Sequence, residues 1–194
     1  MGVFGGCLFL LVLLVVLGPI WAIWRYNNLV SLKNQVANGW KQIDVQLKRR
    51  HDLIPNLIAS VKGEMQFEQD TLEKVIAARN TAAAAHGVAD TAEKENQLTQ
   101  TLSRLFALAE NYPNLKANES VRALMEELAS TENKVGFARQ FYNDLATRFN
   151  TAQQIFPDNF IAQTFKFQPV ELYEIREAAE REVPKVDLSV RPQP

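Results

Sequence analysis

His51 and Asp52 are the neighbours in this 194-residue chain whose types come nearest to acid–base chemistry, an imidazole that titrates near neutrality beside a carboxylate. Their spacing argues against that use, because adjacent residues of a helix point in different directions. His51 and His86, the two histidines, are not spaced as a metal-binding pair. Cys7, the single cysteine, excludes an intrachain disulfide and a cysteine-based zinc site. There is no phosphate-cradling glycine loop and no nucleophile elbow. No catalytic, cofactor-binding or metal-binding residue is therefore expected, and no cofactor. Lys48, Arg49 and Arg50, just before the pair, read as a solvated helix face, with Arg50 snorkelling from the edge of an apolar seam. The alternative is that Lys48 and Arg49 form a contact patch for a partner or for lipid headgroups.

The element that must position these residues is a long helix. From Leu29, apolar or seam residues return every three or four positions: Leu32, Val36, Trp40, Ile43, Leu47, Arg50, Ile54, Leu57, Val61, Met65, Glu68, Leu72 and Val75. Held in phase from Tyr26 to Ala85, this face predicts a rod of roughly 90 Å that later segments must cover. Pro55 crowds the carbonyl four residues back, and the unbroken stripe across it predicts a bend in place of a break.

Before the rod, Val3 to Trp24 carries no charge, and 22 residues at about 1.5 Å each suffice for a hydrocarbon core of about 30 Å. A transmembrane anchor is expected over residues 1–25, contacting the lipid bilayer through residues 3–24. A cleaved signal peptide fits less well, since nothing basic precedes the run and bulky Ile20, Trp21, Ile23 and Trp24 close it. A lipoprotein reading of Cys7 fails because the apolar stretch follows it, and Gly6 spoils a myristoylation site. Trp21, Trp24 and Tyr26 fit an interfacial belt. Arg25, Lys33 and Lys41 follow the span and no basic residue precedes it, which favours a cytoplasmic over an extracytoplasmic domain. The formal net charge of −1 belongs wholly to that domain and argues against nucleic-acid binding.

The alanine-rich stretch before His86 and Gly87 ends the first arm, and Asp90 or Thr91 can cap a second helix carrying Leu98, Leu102, Leu105, Ala109 and Tyr112 on one face. A third, capped by Asn118 or Ser120, carries a heptad seam from Val121 through Leu128, Val135, Tyr142 and Phe149 to Phe156. Leu128 and Phe149 should face the rod, and Glu127 should be solvated. After Pro157, Phe160, Ile161, Phe165 and Phe167 form an aromatic cluster, read as a plug for one end of the bundle or as a docking hook. Val170 to Glu182 should form a small amphipathic helix. The fold class expected is all-α: a transmembrane helix continuing into an antiparallel long-helix bundle of three main helices, with short C-terminal helices, the bundle spanning residues 26–183 and an extended tail 184–194.

Several blocks resemble the LemA family. They are Arg25-Tyr26-Asn27-Asn28-Leu29-Val30, Gln42-Ile43-Asp44-Val45-Gln46-Leu47, Asp52-Leu53-Ile54-Pro55-Asn56-Leu57, Ala109-Glu110-Asn111-Tyr112-Pro113-Asn114, Tyr142-Asn143-Asp144 and Phe156-Pro157-Asp158-Asn159. The sequence departs from the family pattern at Gly39, Glu64 and Phe67. The resemblance implies a bacterial single-pass membrane protein with a helical domain and no established enzymatic activity. It also implies association with envelope proteins, in some relatives a membrane protease or a magnetosome membrane. The expected function is a non-enzymatic membrane-anchored scaffold or adaptor for protein partners, with a homo-oligomer possible. The alternatives are a membrane-shaping, lipid-contacting bundle and an enzyme without class signatures. The candidate partner contacts are Lys48, Arg49, Tyr112, Pro113, Asn114, Phe160, Phe165 and Phe167.

Overall fold

The computed structural model describes residues 2–63, 65 and 68–174, with side chains from Val15 onward except Lys116. Among the described residues all regular structure is helical: α1 (Gly2–Val61), α2 (Gln69–Ala83), α3 (Val88–Ala109), α4 (Pro113–Ala117), α5 (Glu119–Gln154) and α6 (Asp158–Thr164). The spine is α1 against α5, which matches in length the part of α1 from Tyr26 to Val61. The two run antiparallel. Ala152 meets Leu29 at one end, and Val121 shares a core with Leu57 and Val61 at the other.

The seam of α5 packs as its periodicity predicts: Val121, Leu128, Thr131, Val135, Ala138, Tyr142, Leu145, Phe149 and Ala152 are buried. Asn118 supplies the cap, its side-chain oxygen accepting from the N–H groups of Ser120 and Val121. Phe156 falls outside the seam, because the helix ends at Gln154, before a cis Phe156–Pro157 bond. Glu127 is half-buried and paired with Arg49, so it is not the freely solvated position expected. Where α1 crosses α5, Gly39 permits close approach: a Cβ there would lie 3.2 Å from Leu145 Cδ1 and 3.5 Å from the backbone of Tyr142.

The single rod expected from Tyr26 to Ala85 is corrected. Pro55 lies inside a continuous α1, but the helix stops at Val61, and α2 doubles back along it, placing Ile76 and Arg79 beside Pro55 and Ile58. Leu72 follows Val61 by about three turns of 3.6 residues, so it reads in phase whether the chain continues or reverses. A second reversal at 84–87, with Gly87 at φ 81°, starts α3 at Val88. Asp90 lies inside this helix, where its carboxylate accepts from the His86 N–H. The α2–α3 hairpin covers the half of the spine from Ile54 to Val61, around Leu98, Leu102 and Leu105.

The other half is covered by the start of α3, through Val88 and Ala92, and by an extended segment. Val170 to Glu174, expected to begin a small helix, is not helical and runs along the spine instead. The remainder of that expected helix and the tail 184–194 lie outside the described residues, as do Glu64 and Phe67. No helix among the described residues is long and apolar enough to cross a membrane. Cys7 and residues 3–14 of the expected span have no described side chains. From Val15 to Trp24 the larger apolar side chains of α1 are exposed, and close packing starts at Leu29.

Candidate functional site

Where the two halves of the spine meet, the core turns polar. Arg50 sits in the apolar stripe of α1 between Leu47 and Ile54, and Glu95 sits in the stripe of α3, three residues before Leu98. Their side chains are 1% and 0% exposed. Arg50 Nη1 lies 3.1 Å from Glu95 Oε2, while Nη2 lies 2.9 Å from Glu132 Oε2 of α5 and donates to Thr99 Oγ1 at 2.8 Å. The other oxygen of Glu95 is 2.7 Å from His51 Nε2. Burial lowers the pKa of the Arg50 guanidinium, and the carboxylates of Glu132 and Glu95 oppose that shift. The solvated reading of Arg50 is thus corrected, because the residue is the centre of a buried ionic cluster joining α1, α3 and α5. Its groups are turned on one another, and their contacts tie α1, α3 and α5 together at this level.

Beside this cluster lies a cleft of about 420 Å³, lined among others by Asp44, Lys48, His51, Asp52, Arg79 and His86. His51 and Asp52 do not pair; His51 is held by Glu95, and Asp52 is exposed. No group of three or more potential metal ligands exists among the described residues.

On the same side the extended segment is held by two side-chain amides. Asn150 donates to the carbonyl of Val170 and accepts from its N–H, both at 2.9 Å. Asn143 does the same for Tyr173, at 3.0 and 2.8 Å, and the Tyr142 hydroxyl donates to the carbonyl of Glu171 at 2.8 Å. Seven residues of helix rise about 10.5 Å and three of extended chain about 10 Å, so the spacing of the two amides on α5 matches that of Val170 and Tyr173 along the segment. Tyr173 then enters a pocket against Trp40 with Arg139 over its ring, 4.7 Å from guanidinium carbon to centroid. Burial pushes its hydroxyl up to about 12; Arg139 opposes the shift and Glu95 adds to it.

On the opposite side the spine is uncovered. Val45 of α1 and Phe137 and Phe141 of α5 are exposed, Phe137 at 73%, around a groove of about 540 Å³ whose rim carries Lys41 and Lys134. No acidic residue lines it.

The sequence-predicted contact residues are not brought together. Lys48 lines the polar cleft and Arg49 pairs with Glu127. Tyr112, Pro113 and Asn114 lie at the turn into α4, where the Tyr112 hydroxyl donates to Glu68 at 3.3 Å. Phe160 and Phe165 are exposed at the other end of the bundle, and Phe167 packs inward on Phe149. Sequence reasoning missed Glu95, Glu132 and the Val45–Phe137–Phe141 groove. The available signal for the first was charge of opposite sign standing in two apolar stripes, Arg50 in one and Glu95 in the other.

A family model of the LemA family matches residues 39–188. Protein LemA of Metamycoplasma hominis is 25% identical over 183 residues, covering 93% of this chain and 81% of that protein. Magnetosome protein MamQ 2 of Paramagnetospirillum magneticum is 20% identical over 182 residues, covering 80% of this chain and 67% of that protein. Magnetosome protein MamQ of Magnetospirillum gryphiswaldense matches with the same identity and coverage.

Proposed function

The chain belongs to the LemA family, and from that premise we propose that it is a non-enzymatic scaffold, anchored in a membrane by residues 3–24 and holding a protein partner on its uncovered helical face. The observation that carries the reading is the groove of Val45, Phe137 and Phe141, three large apolar side chains left in solvent on the uncovered side of the spine. Contiguous exposed apolar surface of this kind marks interaction sites. Lys41 and Lys134 on its rim favour an amphipathic partner helix with acidic flanks, and they disfavour a second copy, whose lysines would face them. The anchor is supported by the uncharged run ending at Trp24 and by the exposure of Val15 to Trp24 outside the bundle. The three basic residues after the span favour a cytoplasmic domain.

A photo-crosslinking residue placed at Phe137 in the full chain, expressed in cells, tests this. Discrete protein adducts are expected at Phe137 and not at exposed Asp70 on α2. Equal labelling at both positions, or none at Phe137, overturns the reading. The double substitution Phe137→Ser and Phe141→Ser should remove the adducts formed from a crosslinker at Val45 and leave the thermal melt unchanged.

A further inference from the structure

The end of the bundle nearest Trp24 carries a second exposed apolar surface, and its position says what covers it. Arg25, the first residue after the uncharged run, holds α6 in place: its Nε lies 3.1 Å from Oδ1 of the buried Asp158. The same guanidinium lies over Trp24, 4.8 Å from the ring centroid. Tyr26 packs against Phe165 at 4.6 Å between centroids, the rings tilted by 53°. Residues 155–165 therefore stand beside the first turn of α1 after the apolar run, next to Arg25, Tyr26 and Leu29. On this rim Ile155, Phe156, Phe160 and Phe165 are each more than half exposed, and Phe156 and Phe160 meet edge to face at 5.9 Å.

Exposed charge on the rim has one sign. Residues 155–168 contain two charged side chains, Asp158 and Lys166; Asp158 is buried against Arg25, and Lys166 is exposed. On α1 no acidic residue occurs before Asp44. Four apolar groups with a lysine, within a turn of Trp24 and without an exposed acid, match what a headgroup layer accepts.

We infer that this rim is a membrane footing: Ile155, Phe156, Phe160 and Phe165 enter the headgroup–acyl boundary of the bilayer that α1 enters. The inference rests on the anchor reading above and deepens it. The bundle then has two attachments, the helix and the rim, so it stands at a fixed tilt instead of swivelling about Arg25. The groove of Val45 and Phe137 is thereby presented at a fixed height above the lipid.

The test uses the full chain with Cys7→Ser, reconstituted in phosphatidylcholine–phosphatidylglycerol vesicles, with one nitroxide-labelled cysteine at a time. Ile23→Cys reports the anchor, Phe160→Cys and Phe156→Cys report the rim, and Ile76→Cys reports the distant surface of α2. Collision with oxygen and with a water-soluble nickel chelate is compared. The labels at Phe160 and Phe156 should resemble the label at Ile23, oxygen-rich and chelate-poor, with the reverse at Ile76. Rim labels that meet the chelate as freely as the label at Ile76, while the label at Ile23 stays protected, overturn the footing and leave the anchor intact. Rim labels shielded from both reagents show a protein covering and also overturn it. Chelate access at Ile23 overturns the anchor reading and the footing with it.

Discussion

Arg79 of α2 donates from Nε to the backbone carbonyl of His51 at 3.1 Å. That carbonyl is the acceptor that Pro55, four residues on and without an N–H, cannot fill. The proline of the spine and the first covering helix are thus joined through one acceptor. Arg79→Ala should destabilise the fold by about 1 kcal/mol, the typical worth of such a bond. In a Pro55→Ala background the helix fills the acceptor itself, and the cost of Arg79→Ala should shrink markedly. Denaturant melts of the four proteins form a double-mutant cycle, and strict additivity would contradict the linkage.

The buried pair of Arg50 and Glu95 makes a sharper prediction. Glu95→Ala leaves a guanidinium without its innermost counter-charge, and breaking a buried pair on one side typically costs about 3 to 5 kcal/mol. Replacing both with apolar residues of similar volume, Arg50→Met with Glu95→Leu, should recover most of that loss, because neither charge is then stranded. Thermal melts of the single and double variants check it, and an equal loss in both would show that the cluster is not held by charge.

The long seam of α5 was legible because one helix keeps one period and its stop and cap residues, Pro157 and Asn118, sit at its ends. The reversal after Val61 was not, since apolar phase measures spacing along the chain and carries no sign of direction. Arg50 was misread for a related reason: snorkelling is the ordinary fate of a charged residue in a stripe, and only a partner from another helix changes it. The extended segment escaped notice because its backbone is satisfied by Asn143 and Asn150 of α5, while Leu172, Ile175 and Ala179 are spaced as a helical face. Exposure of Phe137 could not be read at all, because nothing in a sequence says which side of two paired helices goes uncovered.

Tyr173 should make the fold sensitive to alkali. Its hydroxyl ionises near 10 ordinarily and at about 12 in the fold, so the native state holds the proton more tightly. The associated stability is complete below pH 10 and is lost as pH rises from there through about 12. The full loss is roughly 3 kcal/mol. Tyr142, also raised by burial, contributes in the same direction. Tyr173→Phe should melt like the native protein at about pH 8 and show a smaller fall by about pH 11. An identical fall in both would place the sensitivity elsewhere.

The last prediction concerns the amides that hold the extended segment. Each asparagine uses both ends of its side chain, the oxygen accepting from a backbone N–H and the NH₂ donating to the carbonyl of the same residue. Asn143→Asp keeps the acceptor for the Tyr173 N–H and loses the donor, placing a carboxylate oxygen against the Tyr173 carbonyl. Asn143→Ala loses both. If the amide ladder and not the Tyr173 side chain holds the segment, either change should raise hydrogen exchange at Val170 and Tyr173 together, since the segment leaves as a unit. Exchange in the second half of α3, from Leu98 to Ala109, should stay unchanged, because those residues pack in the other half of the core. Asn150→Ala should release the same two amides from the opposite end. Loss of protection at Tyr173 alone after Asn143→Ala would mean that the two asparagines act independently. Undiminished protection would mean that the Tyr173 ring, seated against Trp40 beneath Arg139, is sufficient.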